Sequence, residues 1–126
     1  MENKGIIYNP IDGLTVKTYD NSYKFLHDGV GGYFERVPIS MFETKHIDVF
    51  VNEEGKFNGM KHSAVMLYKG KPYDYLMGNL VFTKCDRRGN TVSLTDKDID
   101  FIKKTLDSTT YLIDFSNGTM LPTFNY

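Results

Sequence analysis

The chain is expected to fold as an α+β domain, a mainly antiparallel sheet of about six strands with two helices. Three observations carry that expectation. Short runs rich in β-branched and aromatic residues recur between turn-forming Gly, Asn, Asp and Pro. Two other stretches place apolar residues at helical spacing behind a polar cap. The best-specified segment, residues 77–106, reads as a hairpin followed at once by a packed helix.

Gly5 to Tyr8 forms a first short strand, stopped by Asn9-Pro10 and turned by Asp12-Gly13. Leu14 to Tyr19 alternates apolar and polar residues and pairs back on it. Asp20 or Asn21 then caps a short helix running to about Asp28, with Tyr23, Leu26 and Val30 on one side. Gly29 and the pair Gly31-Gly32 end that helix, because glycine adopts the left-handed C′ conformation without a Cβ clash. Tyr33 to Val37 is a strand stopped by Pro38. Ile47 to Val51 is apolar and β-branched enough to lie inside the sheet. Asn52-Glu53-Glu54-Gly55 turns the chain back, and Asn58-Gly59 turns it again. Ala64 to Tyr68 fits a strand or a helical turn, broken by Gly70-Lys71-Pro72.

Leu80 to Phe82 and Thr91 to Leu94 flank the polar knot Asp86-Arg87-Arg88-Gly89-Asn90, a hairpin by its turn residues. Thr95 stands as N-cap, with Asp98 three residues on as an acidic form of the capping box. Ile99, Ile102 and Leu106 form one apolar stripe, while Lys97, Asp100, Lys103 and Lys104 face water. Tyr111 to Phe115 reads as a last strand, Asn117-Gly118 as a turn, and Met120 to Tyr126 as a tail that packs on its own domain or a partner subunit. One domain is expected over residues 1–126, with residues 1–106 as its core.

Composition narrows the function classes. A chain of 126 residues buries roughly two-thirds of its unfolded surface, enough for a core of its own. With 15 basic and 16 acidic side chains the net charge is -1, which argues against a strongly basic nucleic-acid binder. The single cysteine, Cys85, cannot form an internal disulfide and fits a reducing cytoplasm. Neither a secretory h-region nor an apolar run of about 18 residues is present, so a soluble protein with no membrane partner is expected. Nine Tyr and nine Phe without Trp is a high aromatic load; most of these rings should fill the core, with a minority facing a ligand.

Catalytic and metal patterns are missing from the sequence. His27, His46 and His62 lie on separate segments without zinc spacing. Asp96, Asp98 and Asp100 imitate a calcium loop but lack its glycine and terminal glutamate. Glu53 and Glu54 are adjacent in a turn, so their carboxylates diverge and suit no acid/base pair. Arg87 and Arg88 are close enough to Cys85 to lower its pKa, yet no histidine accompanies it at a motif spacing. No enzyme activity, metal or cofactor is expected. What remains is a local cationic and aromatic set: Arg87, Arg88 and Phe82 on one hairpin, with Lys103 and Lys104 on the following helix. Guanidinium groups grip phosphate bidentately and an aromatic face stacks a base.

The order Gly31-Gly32-Tyr33-Phe34-Glu35, Val51-Asn52-Glu53-Glu54-Gly55-Lys56, Asn58-Gly59, Gly78-Asn79-Leu80-Val81-Phe82, Asp86, Gly89 and Ser93-Leu94-Thr95 resembles a small domain of phage and prophage proteins long catalogued without a function. The resemblance spans roughly Gly5 to Leu106. Within that group the chain looks like the Thoeris anti-defence sponge proteins of phages. The resemblance implies a homo-oligomer, at least a dimer, in the host cytoplasm. It would hold a cyclic ADP-ribose isomer, such as the glycocyclic ADP-ribose made by a TIR-domain immune enzyme, without cleaving it. Nanomolar binding, about -12 kcal/mol, is needed of such a trap, and enclosure between subunits can supply it. The expected pocket draws on Phe82 to stack the base, Asn79 to read an adenine or ribose edge, and Arg87, Arg88, Arg36 and Lys104 to hold the pyrophosphate. Two rival readings are an inhibitor that covers a host protein through its aromatic tail and an enzyme that degrades the same signal.

Overall fold

The computed structural model describes residues 2–108, 110–114 and 119–125. The chain opens as a hairpin of β1 (Asn3–Asn9) and β2 (Gly13–Tyr19), followed by α1 (Ser22–Val30). Then come β3 (Phe34–Val37), α2 (Ser40–Glu43), β4 (Ile47–Asn52), β5 (His62–Tyr68), β6 (Lys71–Met77), β7 (Leu80–Cys85) and β8 (Thr91–Val92). It closes with α3 (Asp96–Ser108), β9 (Thr110–Asp114) and β10 (Thr119–Asn125). The fold is α+β.

The expected six-stranded antiparallel sheet forms, in the order β2-β1-β7-β4-β3, with β8 also paired to β7. Its central strand β7 comes from the run Leu80 to Thr83, all four residues buried. Side chains alternate across a strand, so Leu80 and Phe82 enter one core while Val81 enters another beneath α1. Asn21 caps α1 through its side chain, accepting from the Lys24 amide at 3.0 Å, and Gly31 follows at φ 78. The buried side of α1 carries Phe25, Leu26, Gly29 and Val30. Tyr23, expected on that side, is 60% exposed.

Behind the capped Thr95, α3 buries Ile99, Ile102 and Leu106 as their spacing predicts. The capping box is reciprocal: the Thr95 amide donates to Asp98 Oδ2 at 2.8 Å, and the Asp98 amide donates to Thr95 Oγ1 at 3.1 Å.

The structure departs from the sequence reading in several places. A second sheet, β6-β5-β10-β9, packs on the first. The ambiguous Ala64 to Tyr68 is strand, joined to β6 by a two-residue turn in which Lys69 (φ 52) and Gly70 (φ 79) take left-handed conformations. Pro72 does not break the structure, because β6 is an edge strand and has a free side on which to lack an amide. The expected tail is instead the strand β10, parallel to β5 through Thr123↔Val65 to Asn125↔Leu67, with Leu121 and Phe124 fully buried. A third helix, α2, places Phe42 at the middle of the main core, its ring 5.4 Å from Phe82 and 5.4 Å from Phe124. The expected turn at Asn117-Gly118 and the end of the strand at Phe115 lie outside the described residues.

Candidate functional site

The six residues expected to form a pocket do not share one place. Phe82 is fully buried between β1 and β4 against Phe42, so its faces cannot stack a base; this corrects the sequence reading. Asn79 is structural at both ends of its amide. Its Oδ1 accepts from Asn9 at 3.2 Å, and its Nδ2 donates to the Gly29 carbonyl at 2.9 Å, fastening the end of β1 to α1. Arg87 and Arg88 are exposed at the β7–β8 hairpin tip. Asp86 organises that tip, accepting from the amides of Arg88 and Asn90 at 2.9 Å each. Those bonds, Asn90 foremost, hold its carboxyl below the usual range. Asn79 and Arg87 stand at opposite ends of β7, roughly 20 Å apart at the rise of a strand. Lys104 lies on the exposed face of α3.

Arg36 does reach the rim of the sheet, on edge strand β3. Its guanidinium bonds Glu43 at 2.8 Å and lies 3.7 Å from Asp48. Cys85 shares this neighbourhood rather than that of Arg87 and Arg88. Burial pushes its thiol pKa up and Asp48 adds to the rise, outweighing the opposing effect of Arg36. Neither Arg87 nor Arg88 lowers it, and Cys85 is not an activated thiol. Among the described residues, no group of three His, Cys, Asp or Glu stands together to hold a metal ion, and no helix is long and apolar enough to cross a membrane.

What the structure brings together is a cleft of about 270 Å³ between the β3–β4 edge of the first sheet and β6 of the second. Its floor is apolar, from Val51, Met66 and Leu76. One wall carries Glu35 and Arg36, the far wall Tyr73, Asp74 and Tyr75, and the closing turn Glu53 and Lys56. Lys56 bonds Asp74 across the opening. Three carboxylates and two cations thus line a site with hydrogen-bond acceptors and donors.

The turn after β4 is built to hold this shape. Asn52, only 6% exposed, donates to the Val30 carbonyl at 3.2 Å and accepts from the Glu54 amide at 2.8 Å. A Cβ at Gly32 would meet the Asn52 amide nitrogen at 3.0 Å, and one at Gly55 would meet the Met77 carbonyl at 3.2 Å. The Glu53 amide donates to the Tyr33 carbonyl at 3.0 Å. The two motifs Gly31 to Glu35 and Asn52 to Lys56 are therefore in contact: Gly32 leaves room for Asn52 of the second motif, while Gly55 leaves room for Met77 and the Asn52 carbonyl. Of the expected residues only Arg36 lines the cleft. Tyr73, Asp74 and Tyr75 were missed because they belong to a strand whose proline had read as a break.

No curated protein and no solved structure matches the chain. A family model described as "domain of unknown function (DUF3846)" matches residues 3–107, which takes in both glycine-bearing motifs, the central strand β7 and the capped helix. The β9–β10 strands fall beyond the matched segment. The chain therefore belongs to the DUF3846 family.

Proposed function

We propose that this protein is a phage anti-defence protein that binds a cyclic ADP-ribose-type signal, glycocyclic ADP-ribose, and sequesters it uncleaved, so that Thoeris immunity is not triggered. The cleft is the holding site. The observation that carries this reading is the convergence of Glu35, Glu53 and Lys56, from two touching sequence motifs, with Tyr73 and Tyr75 on one cavity. Tyrosine faces stack a base, carboxylates accept from ribose hydroxyls, and Lys56 reaches a phosphate if it exchanges Asp74 for the ligand.

At about 270 Å³ the cleft is just below the usual size of ligand pockets, roughly 300–1,000 Å³, and suits the nucleoside part of such a molecule. The rest extends past the rim of the cleft; a homo-oligomer in the host cytoplasm belongs to the proposal. A protein-contact inhibitor is the second reading. It is favoured by the exposed rings of Tyr23, Tyr33 and Phe57, the last 92% exposed.

The test incubates the purified protein with cyclic ADP-ribose isomers, removes free ligand, heats the protein and analyses what is released by mass spectrometry. Intact ligand supports sequestration, an altered product an enzyme, and no uptake the protein-contact reading. Tyr73→Ala and Lys56→Ala should each lower affinity about tenfold, the effect of losing one stacking or charged contact. Arg87→Ala and Arg88→Ala should leave affinity within about threefold. The reverse pattern would move the site to the hairpin tip.

A further inference from the structure

We propose that the free edge of β2 docks a second copy of this chain, the two β2 strands pairing antiparallel about a two-fold axis at Val16. β2 ends the first sheet and pairs with β1 over all seven residues, from Asn3↔Tyr19 to Asn9↔Gly13, without a bulge. Its middle, Thr15 to Thr18, is exposed. It contains no proline, and Lys17 is its one charge. Such an edge is a template for another strand. Two other edges are protected: β3 is four residues long and runs into Pro38, and β6 carries Pro72 and an irregular register with β5.

The occupant follows from self-complementarity. A two-fold axis perpendicular to the sheet pairs residues of like facing, and centring it on Val16 uses all seven residues. That register sets Val16 opposite Val16, Lys17 opposite Thr15 and Tyr19 opposite Gly13. Centring on Lys17 would instead oppose two ammonium groups. Val16 is 40% exposed in one subunit, on the face it shares with its β1 neighbour Ile6, and pairing covers it.

The same register decides where the β1–β2 turn goes. Gly13 of one copy lies beside Tyr19 of the other, so the turn bearing Ile11 adjoins the start of α1. There a cavity of about 360 Å³ opens between β2 and α1, with Ile7, Tyr19 and Phe25 in its wall beside the charged Lys17, Asp20, Lys24 and Asp28. Ile11 is 70% exposed in one subunit, an apolar side chain with no cover of its own. Tyr19 in the cavity wall also has a buried hydroxyl with no hydrogen-bond partner among the described residues. Edge and cavity thus face the same neighbour. The contact stands apart from the cleft, which lies at the β3 end of the sheet, so its failure would leave the ligand reading intact.

Sedimentation velocity of the whole chain at micromolar concentration should show a dimer. Val16→Lys and Ile11→Asp should both give monomers with unchanged circular dichroism, since both positions are solvent-exposed in one subunit. Cys85→Ser with Val16→Cys should oxidise to a disulfide-linked dimer, because residues opposite each other on antiparallel strands have Cα atoms about 4.5–5.5 Å apart, within disulfide reach. Tyr73→Cys in the same background should not. A monomeric wild type, a dimer that survives Val16→Lys, or cross-linking no greater than that of the Tyr73→Cys control would overturn the proposal.

Discussion

Replacing Asp98 with alanine tests the joint between α3 and the central strand. Asp98 is 7% exposed and binds Lys84 at 2.9 and 3.1 Å while accepting the Thr95 amide. Losing a helix-capping acceptor costs about 1 kcal/mol. Removing one partner of a buried ion pair costs about 3–5 kcal/mol. Lys84 is not sealed in, since its side chain is 23% exposed and lies 3.4 Å from the Lys45 carbonyl. The lower end applies, and roughly 3 kcal/mol is expected in all. In a domain of this length that lowers the melting temperature by about 10 °C. Asp98→Asn keeps an acceptor for Thr95 and should lose about 1–2 kcal/mol.

The pH dependence has a definite sign. Burial pushes the Asp98 carboxyl up, but the bonds from Thr95 and Lys84 outweigh it and the folded-state pKa is lowered. Its stabilisation is then fully present above the unfolded carboxyl value, about 3.9, and is lost as pH falls through the folded value. Urea titrations followed by circular dichroism should therefore separate wild type from Asp98→Asn at neutral pH and bring them together in strong acid. Asp98→Ala within about 0.5 kcal/mol of wild type at neutral pH would refute the reasoning.

Phe82→Ala should destabilise the fold by about 3–5 kcal/mol in urea titration, because it empties a site surrounded by core residues. Phe82→Leu should leave the affinity for any captured nucleotide unchanged, whereas a loss of affinity without loss of stability would return Phe82 to the binding site. Cys85 should react with iodoacetamide more slowly than free cysteine at neutral pH, since its raised pKa keeps the thiol protonated. Its rate should climb only as pH passes the ordinary thiol range of about 8.5, and reaction as fast as free cysteine would contradict the burial.

Local chemistry made much of the fold legible from residues alone. The Thr95 and Asp98 cap, the β1–β2 hairpin, the α1 helix ended by Gly31 and the buried run of β7 each depend on neighbours within a few positions. Four-residue α2 is too short to show a helical period, and β10 looked like a tail because its partner β5 lies more than fifty residues away. The site was hidden for the same reason. Arginine, asparagine and phenylalanine suggested a ligand by residue type, but type does not reveal burial or which end of a strand a side chain occupies. Phe82 went to the core and Asn79 to a structural bond. The sequence by itself determined the α+β class, the central strand and the two glycine-bearing motifs, because these are set by short-range periodicity and turn geometry. Only the tertiary structure decided that those motifs touch and that Tyr73 and Tyr75 meet them across a cleft, because that meeting depends on how two sheets pack, a long-range outcome that no local pattern encodes.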